Sequence, residues 1–243
     1  MEETVTEARG DALRRAADAP AYTIAEASQL TGLSKDRTRR WLQGYDYSYL
    51  LSQSTAIIRR RQAPVVRRGR TAGTPYASFL DLIDLLFVKE FLAHGISLQR
   101  LRKALDEAQQ ILGKLHFAHE SFFTDGRSIY LQVKNAGDAI MELLNNGQWV
   151  IAPIILELAQ KIEFDKTTKL ARRWYPRGSQ FPVVVDPLIS FGRPALLKRG
   201  VATANVYDLF LAEGQDISAT SVWLGLAVSD ARAAVEFEQQ LAA

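Results

Sequence analysis

Apolar positions along this chain switch between helical and alternating spacing, and the most continuous run lies near residue 85. Phe79, Leu80, Leu82, Ile83, Leu85, Leu86, Phe87, Val88, Phe91 and Leu92 cover most faces of one helix, which Ser78 and Asp81 open and Gly95 ends. Apolar residues all round predict a helix buried on every side, within its domain or against a second subunit. Leu98, Leu101, Leu105, Ala108 and Leu112 then predict a further helix from Ser97 to Gly113. Residues 1–20 are charged and alanine-rich without an apolar face, so a frayed helix or disorder is expected there.

Beyond residue 113 the pattern changes. Ser128 to Val133 alternates like a strand, Asp138 to Leu144 reads as a short helix, and Trp149 to Lys161 as an apolar helix or strand–helix pair around Pro153. Leu170 to Tyr175 and Phe181 to Val185 read as strands that pair across the turn Pro176-Arg177-Gly178, and Pro187 to Pro194 as a loop. Helices return at Asn205–Ala212, Ser218–Leu224 and Ser229–Leu241, with Asn205 and Ser229 as N-caps. The expected fold is mainly α with small β elements: a flexible segment at 1–20, an N-terminal winged helix-turn-helix at 21–113, a β-containing middle region at 114–180, and a C-terminal tri-helical, helix-turn-helix-like unit at 181–243.

The helix-turn-helix is read from Tyr22 to Trp41. Thr23-Ile24-Ala25-Glu26 is a capping box, Gly32 supplies a tight turn, and Ser34 caps a second helix that starts at Lys35. On a wheel, Thr38, Trp41, Leu42 and Tyr45 fall on one side, and Asp36, Arg39, Arg40 and Gln43 on the other. An apolar back with a face of long hydrogen-bonding side chains suits a helix lying in a major groove. Ile57-Ile58 and Val65-Val66 are β-branched patches suited to a two-stranded wing.

Charge sharpens this reading. The whole chain carries 30 Lys+Arg against 27 Asp+Glu, net +3, yet residues 35–70 alone hold ten bases against two acids, net +8. Residues 1–34 and 181–243 are each net −3. The basic segment begins at the candidate reading helix, so Lys35, Arg37, Arg39, Arg40, Gln43, Arg59, Arg60, Arg61, Arg67, Arg68 and Arg70 are the candidate DNA contacts. A second helix-turn-helix pattern spans Ile217 to Val235, but its candidate reader from Ser229 to Glu238 has one arginine and three acids. Those acids would repel phosphate, so this unit is expected to face itself, a partner chain or a basic protein surface.

Composition removes several classes. The chain has no cysteine, which excludes disulfide frameworks, thiolate zinc sites and cysteine nucleophiles. The start Met-Glu-Glu lacks an apolar signal core, and the uncharged stretch Leu143–Leu156, 14 residues, is too short to span a bilayer. A cytoplasmic protein without a membrane partner is expected. His116 and His119, at i and i+3, hint at a metal, but Glu120 is the sole further ligand nearby and Phe117, Phe122 and Phe123 suggest packing. Trp174-Tyr175 beside Arg172-Arg173 hints at base stacking, although a two-faced strand explains it as well. No phosphate-binding glycine loop or nucleophile elbow occurs, so neither catalysis nor a cofactor is expected.

Two blocks resemble known families. Tyr22-Thr23-Ile24-Ala25-Glu26 onward, together with the run from Pro75 to Leu105 that contains His94-Gly95-Ile96-Ser97-Leu98-Gln99-Arg100-Leu101-Arg102, resembles the winged helix-turn-helix of MerR-type regulators. The arginine-rich segment between Gly44 and Pro75 departs from that pattern, so no base contact is carried over. The block from Phe181, with Asp186-Pro187 and Phe191-Gly192-Arg193-Pro194, resembles the small C-terminal domain of one subgroup of VapB-type antitoxins. It departs after Pro194, where Leu197 to Thr203 replaces an expected Gly-Thr-Arg-Ile-Pro. The order of head and tail resembles such an antitoxin over almost the whole length. That resemblance implies an operator-binding, autorepressing homodimer whose tail neutralises a PIN-domain ribonuclease toxin. Such toxins use clustered carboxylates and magnesium, and the tail's cations Arg193, Lys198, Arg199 and Arg232 are the candidate toxin contacts. The alternative is a MerR-like regulator that senses a small ligand and has no toxin partner.

Overall fold

The computed structural model describes residues 2–50, 57–93, 95–99, 101, 102, 106, 116–119, 157, 158 and 160–242. The strand expected at 128–133, the helix at 138–144 and most of the apolar stretch at 149–161 lie outside the described residues, as do parts of the helix expected to end at Gly113. The fold is mainly α with small antiparallel β elements. Among the described residues, no helix is long and apolar enough to cross a membrane.

Helix α1 (Glu2–Ala17) occupies the segment expected to fray. Leu13 and Ala17 are buried, and an added Cβ on Gly10 would lie 3.2 Å from Thr168 Cγ2. The anchor was hidden from the sequence because two small residues and one leucine make a contact without making an apolar stripe. Strand β1 (Tyr22–Thr23) leads into α2 (Ile24–Thr31), and a three-residue turn leads to α3 (Lys35–Gln43). Strands β2 (Tyr45–Leu50) and β3 (Ile57–Gln62) form a hairpin, and β4 (Tyr76–Ala77) pairs with β1. The hairpin corrects the expected wing in two places. Tyr45 begins a strand instead of extending α3, and Val65-Val66 is not a strand but a buried anchor. The amides of Val65 and Val66 both donate to the Trp41 carbonyl, at 2.9 and 3.1 Å.

Helix α4 (Phe79–Ala93) is the centre of the larger core. Ser78 and Asp81 cap it reciprocally, the Asp81 amide donating to Ser78 Oγ and the Ser78 amide to Asp81 Oδ2, both at 3.0 Å. The core extends from α1, α2 and α3 across α4 to Phe117, Ala118, β5 (Ile162–Phe164), β6 (Ala171–Trp174) and Val185. Phe117 sits 5.8 and 5.5 Å from the Phe87 and Phe91 rings. The Lys89 ammonium donates to the Thr31 carbonyl at 2.7 Å, fastening α4 to the end of α2. Leu101 continues the helical path, its amide bonding the Ser97 carbonyl.

The expected pairing across Pro176–Gly178 survives only as an isolated bridge between Trp174 and Val185. Instead β5 pairs with β6, and β7 (Val183–Val184) pairs with β8 (Ala195–Leu196). Three helices follow: α5 (Thr203–Ala212), α6 (Ile217–Leu224) and α7 (Val228–Ala242). Their core is Val183, Leu196, Val206, Ala231, Ala234, Val235 and Phe237. Helix α5 starts two residues earlier than expected and has no side-chain cap at Ala202, so Asn205 is an interior residue. Asp216 caps α6 by accepting the Ser218 and Ala219 amides, and α7 begins at Val228 before the expected Ser229. Within the loop at 187–194, Ser190–Gly192 forms a 3-10 turn.

Candidate nucleic-acid interface

The local chemistry of α2 and α3 fixes their relative placement. The Thr23 amide donates to Glu26 Oε2 at 2.7 Å and the Glu26 amide to Thr23 Oγ1 at 3.2 Å, which closes the capping box. Gly32 takes left-handed φ 65° and ψ 26°, a conformation a side chain would strain. Ser34 Oγ then accepts the Arg37 amide at 3.3 Å. Thr38, Trp41 and Leu42 are buried, which turns Lys35, Arg37, Arg39 and Arg40 to solvent.

The hairpin continues that surface. Opposed pairs share one face of an antiparallel ladder. Tyr45, Tyr47 and Tyr49 therefore stand on the same face as Ile58, Arg60 and Gln62, while Asp46, Ser48 and Leu50 share the other with Ile57, Arg59 and Arg61. The three tyrosine rings follow one another with centroids 6.1 and 6.2 Å apart. Two contacts join helix to hairpin: the Arg40 guanidinium lies 5.0 Å from the Tyr45 ring, and Arg61 Nη2 donates to the Gln43 carbonyl at 3.1 Å. Sequence reasoning passed over this tyrosine ladder, although the alternation Tyr-Asp-Tyr-Ser-Tyr marks a strand.

The sequence-predicted contacts divide into three groups. Lys35, Arg37, Arg39, Arg40, Arg59, Arg60, Arg61 and Arg70 are exposed. Arg40 is paired with Asp36 at 3.1 Å and Arg61 with Asp46 at 3.4 Å, both in solvent, where such pairs exchange readily for phosphate. Gln43 is half-buried and its carboxamide donates to the Thr74 carbonyl at 3.4 Å; Arg67 is paired with Asp106. Arg68 is withdrawn altogether. Its side chain is 4% exposed, its Nε lies 3.3 Å from the buried Asp81 carboxylate, and its two terminal nitrogens donate to the Thr74 and Tyr76 carbonyls. A guanidinium so enclosed holds the loop after the hairpin onto the start of α4.

The other candidate chemistry is structural. Trp174 is buried and cannot stack on a base. Arg173 bonds Glu163 and Asp186 at 2.9 Å each. His116 Nδ1 lies 2.7 Å from Asp84 Oδ2, and Asp84 Oδ1 accepts the Ala118 amide at 3.1 Å. Burial works against a charged His116, but the Asp84 carboxylate outweighs it and holds the imidazole above its ordinary pKa; burial also raises Asp84. Among the described residues, no group of three or more ligand-type side chains is placed to hold a metal.

In the tail, Arg193, Lys198, Arg199 and Arg232 are all exposed and make no ion pair among the described residues. The first three lie on neighbouring turns, because Ser190 Oγ donates to the Gly200 carbonyl at 2.6 Å, whereas Arg232 is on α7. Head and tail meet at Tyr22, whose buried hydroxyl donates to the Gly192 carbonyl at 2.7 Å. Burial, then the charges of Asp186 and Glu26, raise the Tyr22 pKa, so this hydroxyl stays a donor.

The pattern of a helix, glycine turn, cationic helix and hairpin defines a protein with one strongly basic face. Over 201 residues the chain is 25% identical to "Putative antitoxin VapB45" of Mycobacterium tuberculosis (strain ATCC 25618 / H37Rv), covering 78% of this chain and 82% of that protein. Its fold is similar to the X-ray crystal structure of Rv2018 from Mycobacterium tuberculosis, with a TM-score of 0.64 at 22% identity, covering 90% of this chain and 98% of the other. No protein-family model matches the chain.

Proposed function

We propose that this protein is the DNA-binding antitoxin of a type II toxin–antitoxin pair, which neutralises a PIN-domain ribonuclease and represses its own operon. The observation that carries this reading is the similarity to "Putative antitoxin VapB45", which covers 78% of this chain. In this reading α2, α3 and the β2–β3 hairpin form a winged helix-turn-helix of the MerR-like kind. Helix α3 enters the major groove with Arg37, Arg39 and Arg40, and the hairpin cations Arg59 and Arg60 neutralise flanking phosphates. A homodimer reads two half-sites, since one short helix offers few base contacts. The tail, with Arg193, Lys198, Arg199 and Arg232 as candidate contacts, holds the toxin.

The test has two arms. The reading frame beside this chain's gene is expressed alone and together with the chain, and the purified chain is titrated with its own promoter. Growth arrest by the neighbour alone, rescue by the chain, and a promoter complex tighter than one with random DNA are the expected results. A neighbour that stays toxic in the presence of excess chain overturns the antitoxin reading.

One observation favours a ligand-sensing regulator instead. A cleft of about 330 Å³ opens between α2, α4, β6 and α7, lined by Lys89, Glu90, Lys161 and Arg177 among others, with Lys89 bonded to the Thr31 carbonyl, Lys161 paired with Glu157 and Arg177 with Glu236. Promoter affinity that changes with a small molecule and not with a partner protein would select that reading.

A further inference from the structure

We infer that the turn between α6 and α7 is the toxin-docking surface, with Trp223 and Val222 as its apolar anchors and Arg232 as its charged contact. This rests on the antitoxin reading. It comes from two parts of one chain matched residue by residue at their turn glycines, Gly32 and Gly225. Gly225 has φ 61° and ψ 34°, nearly those of Gly32, and the amide after each glycine bonds the carbonyl five residues back, Leu226 to Ser221 at 2.9 Å and Leu33 to Ser28 at 3.1 Å. Counting from the glycines, the buried positions correspond as well: Thr38 with Ala231, Trp41 with Ala234, Leu42 with Val235. The tail unit thus has the framework of the head unit.

The outward positions differ in kind. Where the head places Gln29 and Lys35, the tail places Val222 and Val228; Arg39 is matched by Arg232. Leu30 packs onto the main core, but its counterpart Trp223 is 71% exposed, with Val222 82% and Val228 44% exposed beside the same turn. Exposed large side chains this close together mark an interaction site, and tryptophan and arginine are the residues that most often anchor one.

Charge selects the occupant. Residues 23–43 hold four bases against two acids, and the matching residues 216–236 hold Arg232 against Asp216, Asp230 and Glu236. Phosphate is repelled by that balance. A second copy apposed face to face would bring six acids to two arginines. The face fits a protein that offers an apolar socket with a basic rim and one carboxylate for Arg232. Of the four tail cations, Arg193, Lys198 and Arg199 lie on other turns, which narrows the charged contact to Arg232.

The test uses full-length chain and the ribonuclease encoded beside it, with affinity measured by calorimetry. V222K/W223K is expected to weaken the complex roughly thirtyfold or more, the scale of removing an anchor. R232E weakens it too, while R193A/K198A/R199A stays within about threefold, as surface changes elsewhere do. All variants keep the wild-type melting temperature, and amide exchange in α6 and at the start of α7 slows when the toxin binds. Unchanged affinity of V222K/W223K overturns the inference and leaves the antitoxin reading standing; so does a variant that loses self-association and keeps the toxin. Failure of the wild-type chain to bind overturns both.

Discussion

Arg68→Ala separates two uses of arginine that look alike in the sequence. The Arg68 guanidinium reaches Asp81 Oδ2 at 3.3 Å and the carbonyls of Thr74 and Tyr76, and the same Asp81 oxygen accepts the Thr71 hydroxyl at 2.5 Å and the Ser78 amide at 3.0 Å. The other oxygen, Oδ1, is buried without a partner. Truncating Arg68 leaves a buried carboxylate without its counter-charge and two carbonyls without donors, a destabilisation of about 3–5 kcal/mol. Arg59 and Arg60 stand in solvent on β3, so their replacement by Ala shifts stability by no more than about 0.5 kcal/mol. DNA binding gives the converse. Removing one phosphate-neutralising cation lowers the slope of log affinity against log salt by about 0.9, or about 3.5-fold between roughly 50 and roughly 200 mM salt. Urea unfolding followed by tryptophan fluorescence, paired with promoter titrations at both salts, reads the two quantities separately. A stable R68A protein with a shallower salt slope would refute this assignment, as would an R59A/R60A protein with an unchanged slope.

Three further outcomes follow from the geometry. Gly44→Ala is expected to cost about 1–3 kcal/mol and to weaken promoter binding, because φ 73° with ψ −174° excludes a side chain and an added Cβ would meet the Gln62 carbonyl; thermal melts and gel shifts check it. Tyr22→Phe removes a buried hydrogen bond to Gly192 and should lower stability by about 1 kcal/mol in urea titrations without altering promoter specificity. The raised pKa of His116 means that the fold favours the imidazolium. Its contribution is complete below the unfolded value of about 6.5 and disappears as pH rises through the elevated folded value. The unfolding midpoint should therefore fall across that window, and His116→Gln should flatten the dependence.

What was legible in the sequence is what local chemistry decides. The capping box at Thr23–Glu26, the Gly32 turn and the Ser34 cap are contacts between residues at most five apart, so their spacing announces them. The helix at Phe79–Ala93 was equally plain, since its apolar residues cover most faces and every position from Phe79 to Val88 is buried. Partners distant in sequence were not legible. Arg68 looks like its neighbours Arg67 and Arg70 until Asp81, thirteen residues on, takes it inside. Val65-Val66 has the composition of a strand, but the carbonyl of Trp41 claims both of its amides. Tyr45 satisfied helical periodicity and strand alternation at once, and Gly44, in a conformation no helix contains, decided for the strand. Leu13 and Ala17 gave no stripe because the surface they cover is small.

The two helix–turn–helix units show why architecture alone could not assign a role to either. In both, a left-handed glycine and three buried positions set how the helices cross, and changes there are felt in stability because the core is close-packed. The outward positions contribute little to it; substitutions at such sites usually move stability by no more than about 0.5 kcal/mol. Their chemistry is therefore free to follow whatever the surface meets. Around Gly32 the outward residues are Lys35, Arg37, Arg39 and Arg40; around Gly225 they include Val222, Trp223, Val228 and Arg232. A purely structural origin for the difference would require the apolar residues to be covered within the chain, and Val222 and Trp223 are exposed. On the proposed reading the same framework meets a polyanion once and an apolar protein surface once, and the residues exposed around each turn make the difference.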